Sequence, residues 1–144
     1  MTDVGARIAG QIRPGDAIGL RGDLGAGKTT LARAILAHLG LQGEAPSPSF
    51  AIVQPYAPPE VALPLLHIDL YRINHAHDVE ELGLDDARRD HALIIEWPER
   101  MGASLWADTL ILTIEGATGA DGGDARRLTA HVPNAWKERW PLLI

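Results

Sequence analysis

Val4, Ile8 and Ile12 recur at four-residue spacing with mostly small or polar residues between them. This predicts a short amphipathic helix over residues 3–12, with Thr2 or Asp3 as its cap. Arg13-Pro14-Gly15-Asp16 carries turn chemistry. Ala17-Ile18-Gly19-Leu20 is then a continuous apolar run, the pattern of a buried strand. Beyond a glycine-rich stretch, Leu31, Ile35, Leu36 and Leu39 mark one helix face, and Gly40 stands where a left-handed C-terminal cap belongs. Phe50-Ala51-Ile52-Val53 and Leu65-Leu66-His67-Ile68 read as strands joined through Ala57-Pro58-Pro59, which suits an antiparallel hairpin with a longer loop. Pro64 cannot donate to a ladder and belongs at the start of its strand or on an edge. From Asp78 to Arg89 the pattern is helical but interrupted at Gly83, predicting two short helical turns. Ala92-Leu93-Ile94-Ile95, residues 110–114 and residues 128–132 complete the strands, with a glycine-rich connection over residues 116–124. A strand, a helix and then mostly strands predict an α/β fold with a mixed sheet, and the absence of repeats or a linker predicts one domain over residues 1–144.

Composition narrows the functions this pattern can serve. The chain has 144 residues and no cysteine, which excludes a disulfide framework, a cysteine-ligated zinc site and a thiol nucleophile. Thirteen basic and 19 acidic residues give a net charge of −6, against the clustered cations that grip nucleic acid directly. No apolar run approaches a membrane span, and the first residues lack the basic start of a secretion signal. The expectation is a soluble, cytoplasmic protein without a membrane partner.

Gly22-Asp23-Leu24-Gly25-Ala26-Gly27-Lys28-Thr29 fits the spacing G-x-x-x-x-G-K-[ST] at every fixed position. Glycines allow the backbone to curl so that successive N–H groups face phosphate oxygens, and the start of the next helix adds its positive end. Lys28 is spaced to reach the β- and γ-phosphates of a nucleotide and the Thr29 hydroxyl to ligate Mg²⁺. Thr30 reads more readily as a helix residue than as a metal ligand. An ordinary strand-to-helix turn is the bland alternative, and the buried strand before the loop and amphipathic helix after it argue against that.

Ligands of such sheets lie beyond the carboxyl ends of the strands, so acidic residues closing apolar strands matter. Two exist, Asp69 after Leu65-Leu66-His67-Ile68 and Glu96 after Leu93-Ile94-Ile95. Either could hold Mg²⁺ or orient a water, and local pattern does not rank them. They can cooperate only if both strands end on the side of Lys28. Ser47-Pro48-Ser49-Phe50 is either a γ-phosphate sensor or a plain turn. His67 reads as a packed or hydrogen-bonded strand residue, and six histidines without ligand spacing argue against zinc. Tyr71-Arg72 could reach phosphate or cover the sheet edge. Of Trp97, Trp106, Trp136 and Trp140, Trp97 alone has a site argument, since it adjoins Glu96.

Taken together, the loop Gly22 to Thr30, Ser47-Pro48-Ser49-Phe50, His67-Ile68-Asp69-Leu70-Tyr71-Arg72 and Glu96-Trp97-Pro98 resemble the TsaE family, the P-loop ATPases of bacterial tRNA threonylcarbamoyladenosine biosynthesis. The resemblance runs over about two-thirds of the chain. It implies a P-loop NTPase-like mixed sheet flanked by helices, with ATP and Mg²⁺ as cofactors. It implies nucleotide binding by Leu24, Gly25, Ala26, Gly27, Lys28, Thr29 and Thr30 with Trp97 nearby, Mg²⁺ on Thr29 and Glu96, and catalysis through Lys28, Asp69 and Glu96. The implied partners are the TsaD and TsaB proteins, whose transfer of a threonylcarbamoyl group to tRNA the ATPase supports, with tRNA met mainly through the complex. Thr2 is a possible contact through the resemblance only, and nothing firm carries over to residues 101–144, where Arg127 could approach the nucleotide but reads more readily as a surface residue. Ser49 departs from the family's usual threonine and keeps only the hydroxyl.

Three other readings share the loop. A small-metabolite kinase would need an arginine-bearing lid, for which Arg88 and Arg89 are the candidates. A GTPase would carry Asn-Lys-x-Asp after a strand, which is absent. A docking module would bind ATP without turning it over.

Overall fold

A computed structural model describes residues 2–23, 25, 27–43, 52–116 and 126–140. Ser47 to Ala51, most of the glycine-rich connection after β5 and the side chain of Thr2 lie outside the described residues.

Helix α1 (Thr2–Gln11) lays Ile8 against α2 (Lys28–His38), whose inner face is Leu31, Ala32, Ile35 and Leu36. The two helices approach closely because position 5 has no side chain, since a Cβ on Gly5 would stand 2.6 Å from that of Ala34. Helix α2 ends as its sequence predicts. Gly40 has φ 113°, its N–H reaches the Ala37 carbonyl at 3.1 Å, and the Leu41 N–H reaches that of Leu36 at 3.1 Å. Only a residue without Cβ takes that turn cheaply.

Strands β1 (Ala17–Arg21), β2 (Val53–Tyr56), β3 (Leu65–Asp69), β4 (Ala92–Glu96), β5 (Leu110–Gly116) and β6 (Arg126–His131) form one sheet in the order β2-β3-β4-β1-β5-β6. The inner four are mutually parallel, and β2 and β6 close the edges antiparallel. Strands buried on both faces need continuous apolar runs, which is what β1, β3 and β4 carry. The predicted hairpin is β2–β3, with β2 reaching further along the chain than the apolar run suggests. Pro55 is accommodated because β2 is an edge strand, and Pro64 immediately precedes β3. The interrupted helical stretch is α3 (His77–Glu80) and α4 (Leu84–Ala87), separated by Gly83 at φ 65°.

Side-chain alternation divides the interior into two cores. Leu65, Ile94, Ile18, Leu20 and Leu112 face α1 and α2, while Leu66, Ile68, Leu93 and Ile95 face α3, α4 and a 3₁₀ segment over Pro98–Ser104. That segment was not legible as a helix. It packs against β1 where Gly19 has no side chain, since a Cβ there would lie 2.9 Å from Pro98 Cγ. A second 3₁₀ turn, Asn134–Trp136, plugs the first core with Trp136, which is fully buried. Arg139 ties this turn to the loop before β1. It binds both carboxylate oxygens of Asp16 at 2.6 and 3.0 Å, donates to the Gln11 carbonyl at 3.0 Å, and stands 3.8 Å from the Trp136 ring centre. The pair is two-pronged and mostly buried, the form in which such contacts matter most. Among the described residues, no helix is long and apolar enough to cross a membrane.

Candidate functional site

Strand β1 ends at Arg21, and the chain turns through the glycine-rich loop directly into α2. Gly27, the residue before the first helical turn, sits at φ 111° and its carbonyl accepts the Leu31 N–H at 2.9 Å. The left-handed backbone there leaves the first N–H groups of α2 open toward the loop. Gly25 also has positive φ, while Leu24 and Ala26 lie outside the described residues.

Lys28 is buried at the mouth of α2. Its Nζ donates to the Gly22 and Asp23 carbonyls at 2.6 and 2.8 Å and lies 4.4 Å from the centre of the Trp97 ring. Trp97 reaches that position through strain. It is the one non-glycine residue with positive φ among those described, at φ 62° and ψ 51°. A left-handed non-glycine backbone costs about 1–2 kcal/mol and persists where the surroundings impose it. Here β4 has just ended, and the twist turns the indole over Lys28 and against Tyr71, with ring centres 5.1 Å apart.

The parallel arrangement of β3, β4 and β1 brings Asp69 and Glu96 to the same edge of the sheet as the loop, in adjacent register. They differ in surroundings. Glu96 is 2% exposed, and its Oε1 accepts the Thr29 hydroxyl at 2.8 Å while Oε2 meets His67 Nε2 at 2.7 Å. Asp69 is partly open, and its Oδ1 accepts the Tyr71 N–H at 3.0 Å. Burial raises the Asp69 pKa above the ordinary carboxylate value, the Tyr71 N–H opposes this, and the Glu96 carboxylate adds to it. Tertiary contact thus ranks the two, since Glu96 is the carboxylate that touches Thr29.

These groups surround a cleft of about 410 Å³ whose walls include Lys28, Thr29, Asp69, Tyr71, Glu96 and Trp97. Thr30 and Arg72, both exposed, line its rim, and Tyr71 is 43% exposed. On the β5 side of Trp97 a second cleft of about 440 Å³ runs along Gly22, Asp23, Glu99 and Thr113. Backbone N–H groups at a helix start, a buried ammonium and hard oxygen donors on Thr29 and Glu96 form a site suited to a phosphate chain with a small divalent cation.

Arg88, Arg89 and Arg127 are not among the described residues that line the first cleft. Arg88, a lid candidate, is committed at the opposite edge of the sheet. It donates to the Gly15 carbonyl at 2.9 Å and to Asp108 at 2.6 Å, which holds the Asp108 carboxyl below its ordinary pKa. Arg89 is exposed, 3.9 Å from Asp86. Arg127 is an exposed residue of β6 opposite Glu115. Sequence pattern also missed the contact of His67 with Glu96. The available signal was its spacing two residues before Asp69, which puts both side chains on one face of β3.

The raised pKa of Asp69 carries a stability consequence. A carboxylate whose folded pKa lies above its unfolded value destabilises the fold once pH rises above that folded pKa, and costs nothing below the unfolded one. Asp69→Asn keeps the acceptor for the Tyr71 N–H and removes the charge. Its melting temperature should exceed that of the natural protein at pH 7 by about 1–3 °C. The difference should shrink as pH falls toward 4. A pH series of thermal melts checks this, and a difference independent of pH would refute the burial argument.

The model of the family described as threonylcarbamoyl adenosine biosynthesis protein TsaE matches residues 1–127. A relative from Streptomyces coelicolor, named tRNA threonylcarbamoyladenosine biosynthesis protein TsaE, is 37% identical over 97% of this chain and 93% of its own length. A relative of the same name from Bacillus subtilis is 36% identical over 81% of this chain and 70% of its own. The crystal structure of YdiB from Bacillus subtilis superposes with a TM-score of 0.79 at 30% identity, covering 99% of this chain and 85% of that one.

Proposed function

The chain belongs to the TsaE family, and from that premise we propose that it is the ATP-binding and ATP-hydrolysing subunit of the cytoplasmic machinery that makes threonylcarbamoyladenosine in tRNA, the whole chain acting as one P-loop ATPase domain. The carrying observation is the 2.8 Å contact between the Thr29 hydroxyl in the first turn of α2 and Glu96 at the end of β4, beside Lys28. A bare phosphate-binding turn would not need a buried carboxylate there.

In this reading the loop from Leu24 to Thr30 cradles the phosphates and Lys28 neutralises the β- and γ-oxygens. Thr29 and Glu96, hard oxygen donors already in contact, would hold Mg²⁺. When bound, Mg²⁺ would supply positive charge to offset the negative charge of the phosphate chain. Asp69 orients and deprotonates the attacking water. One of its oxygens takes the Tyr71 N–H, the other has no protein partner among the described residues, and its raised pKa makes it a better base than an ordinary aspartate. Trp97 shields the bound phosphates from solvent. The net charge of −6 suits a subunit that meets tRNA through TsaD and TsaB. The commitment of Arg88 to Gly15 and Asp108, away from the cleft, removes one of the two lid candidates of a metabolite kinase.

The test is phosphate release from ATP by this protein alone and then with TsaD and TsaB from the same organism. Slow release alone that accelerates with the partners supports the reading. Release indifferent to the partners, preference for GTP, or a phosphorylated metabolite as product would overturn it.

A further inference from the structure

His67 is fully buried between β3 and the start of α2, where the neighbouring inward positions Leu65, Ile94 and Leu31 are apolar. A leucine would fill such a position without leaving any polar atom to satisfy. Among the described residues the imidazole instead makes one polar contact, Nε2 to Glu96 Oε2 at 2.7 Å, and its buried Nδ1 has no partner. Departures from a consistent interior of this kind concentrate where a side chain serves the site and not the fold. The other Glu96 oxygen accepts the Thr29 hydroxyl at 2.8 Å. A carboxylate held at one oxygen can swing about its terminal bond, whereas one held at both presents a fixed oxygen.

We propose that His67 is the positioning residue for Glu96, donating from Nε2 to Oε2 and thereby aiming Oε1 at Thr29 and at the cation these two would share. The inference rests on the assignment of Glu96 made above. The proton belongs on Nε2, because a carboxylate can only accept and an orphaned lone pair on Nδ1 is tolerated more readily than an orphaned N–H. Groups that hold a metal-ligating side chain by its far atom commonly govern metal affinity about 10–100-fold.

The experiment titrates manganese(II) into the full chain saturated with ADP, read by electron paramagnetic resonance, with ADP affinity in EDTA as the control. His67→Leu should weaken manganese binding about 10-fold while leaving ADP affinity in EDTA within about 2-fold. His67→Gln, whose amide N–H can reach the same oxygen, should recover most of the loss. If Glu96→Gln weakens manganese binding and folded His67→Leu does not, His67 has no positioning role and the assignment of Glu96 stands. If Glu96→Gln itself has no effect, that assignment fails. Ring ¹⁵N spectra of the natural protein give an answer that needs no variant to fold. His67 should be protonated at Nε2 and bare at Nδ1, and its Nε2 resonance should move with ADP and Mg²⁺ but not with ADP in EDTA. A proton on Nδ1 alone, or an Nε2 resonance indifferent to Mg²⁺, would overturn the proposal.

Discussion

Glu96→Gln should bind ATP nearly as well as the natural protein yet release phosphate about 100–1,000-fold more slowly in the presence of TsaD and TsaB, the loss usual for removing one group aimed at developing charge. Glutamine keeps the shape of a residue that is 2% exposed and still offers one acceptor to Thr29 or His67, so the fold should survive. What it loses is the negative charge that would hold the cation beside Thr29. Glu96→Ala is the harsher form, because it also leaves His67 Nε2 buried without a partner, at about 1–3 kcal/mol of stability. Single-turnover phosphate release with saturating ATP checks the prediction. A Glu96→Gln protein hydrolysing at the natural rate in the assembled complex would show that the metal assignment is wrong. A protein that cannot hydrolyse ATP but still sustains modification by TsaD and TsaB would instead favour the docking reading.

Lys28→Ala should act one step earlier, lowering ATP and ADP affinity about 100-fold, which corresponds to one charge-assisted phosphate contact of about 2–3 kcal/mol. The melting temperature should change little. The Lys28 ammonium links the Gly22 and Asp23 carbonyls, but those groups border a cleft where water can replace it. The cost therefore falls on binding and not on folding. Titration of a fluorescent ADP derivative, paired with a thermal melt, separates the two. An affinity within about 3-fold of the natural protein would mean that the ammonium does not reach the phosphates. The two variants together distinguish holding a nucleotide from turning it over.

The apolar pattern alone reached the strand-helix order, the interruption at Gly83, the glycine cap of α2 and the β2–β3 hairpin, each within a residue or a few of its observed place. These features depend on neighbours close in the chain, through side-chain periodicity, the φ of glycine and proline's missing donor. The 3₁₀ segment after Trp97 escaped the pattern because it depends on a distant vacancy, the absent side chain of Gly19. Arg139 escaped it for the same kind of reason, since its partner Asp16 is 123 positions away.

At the site, the sequence by itself determined the phosphate loop and the two carboxylate candidates, because a helix start, a glycine turn and a strand end are written locally. Only the tertiary structure decided how they combine. The contact of Thr29 with Glu96 spans 67 positions and that of His67 with Glu96 spans 29. Both exist because β4 lies between β1 and β3, parallel to each. Strand order is set by which faces bury together best across the whole sheet, a sum over distant side chains that no local spacing records. The same packing turns Trp97 into a left-handed backbone over Lys28. Residue type supplied the chemistry, and the order of the parallel strands chose which carboxylate would meet the loop.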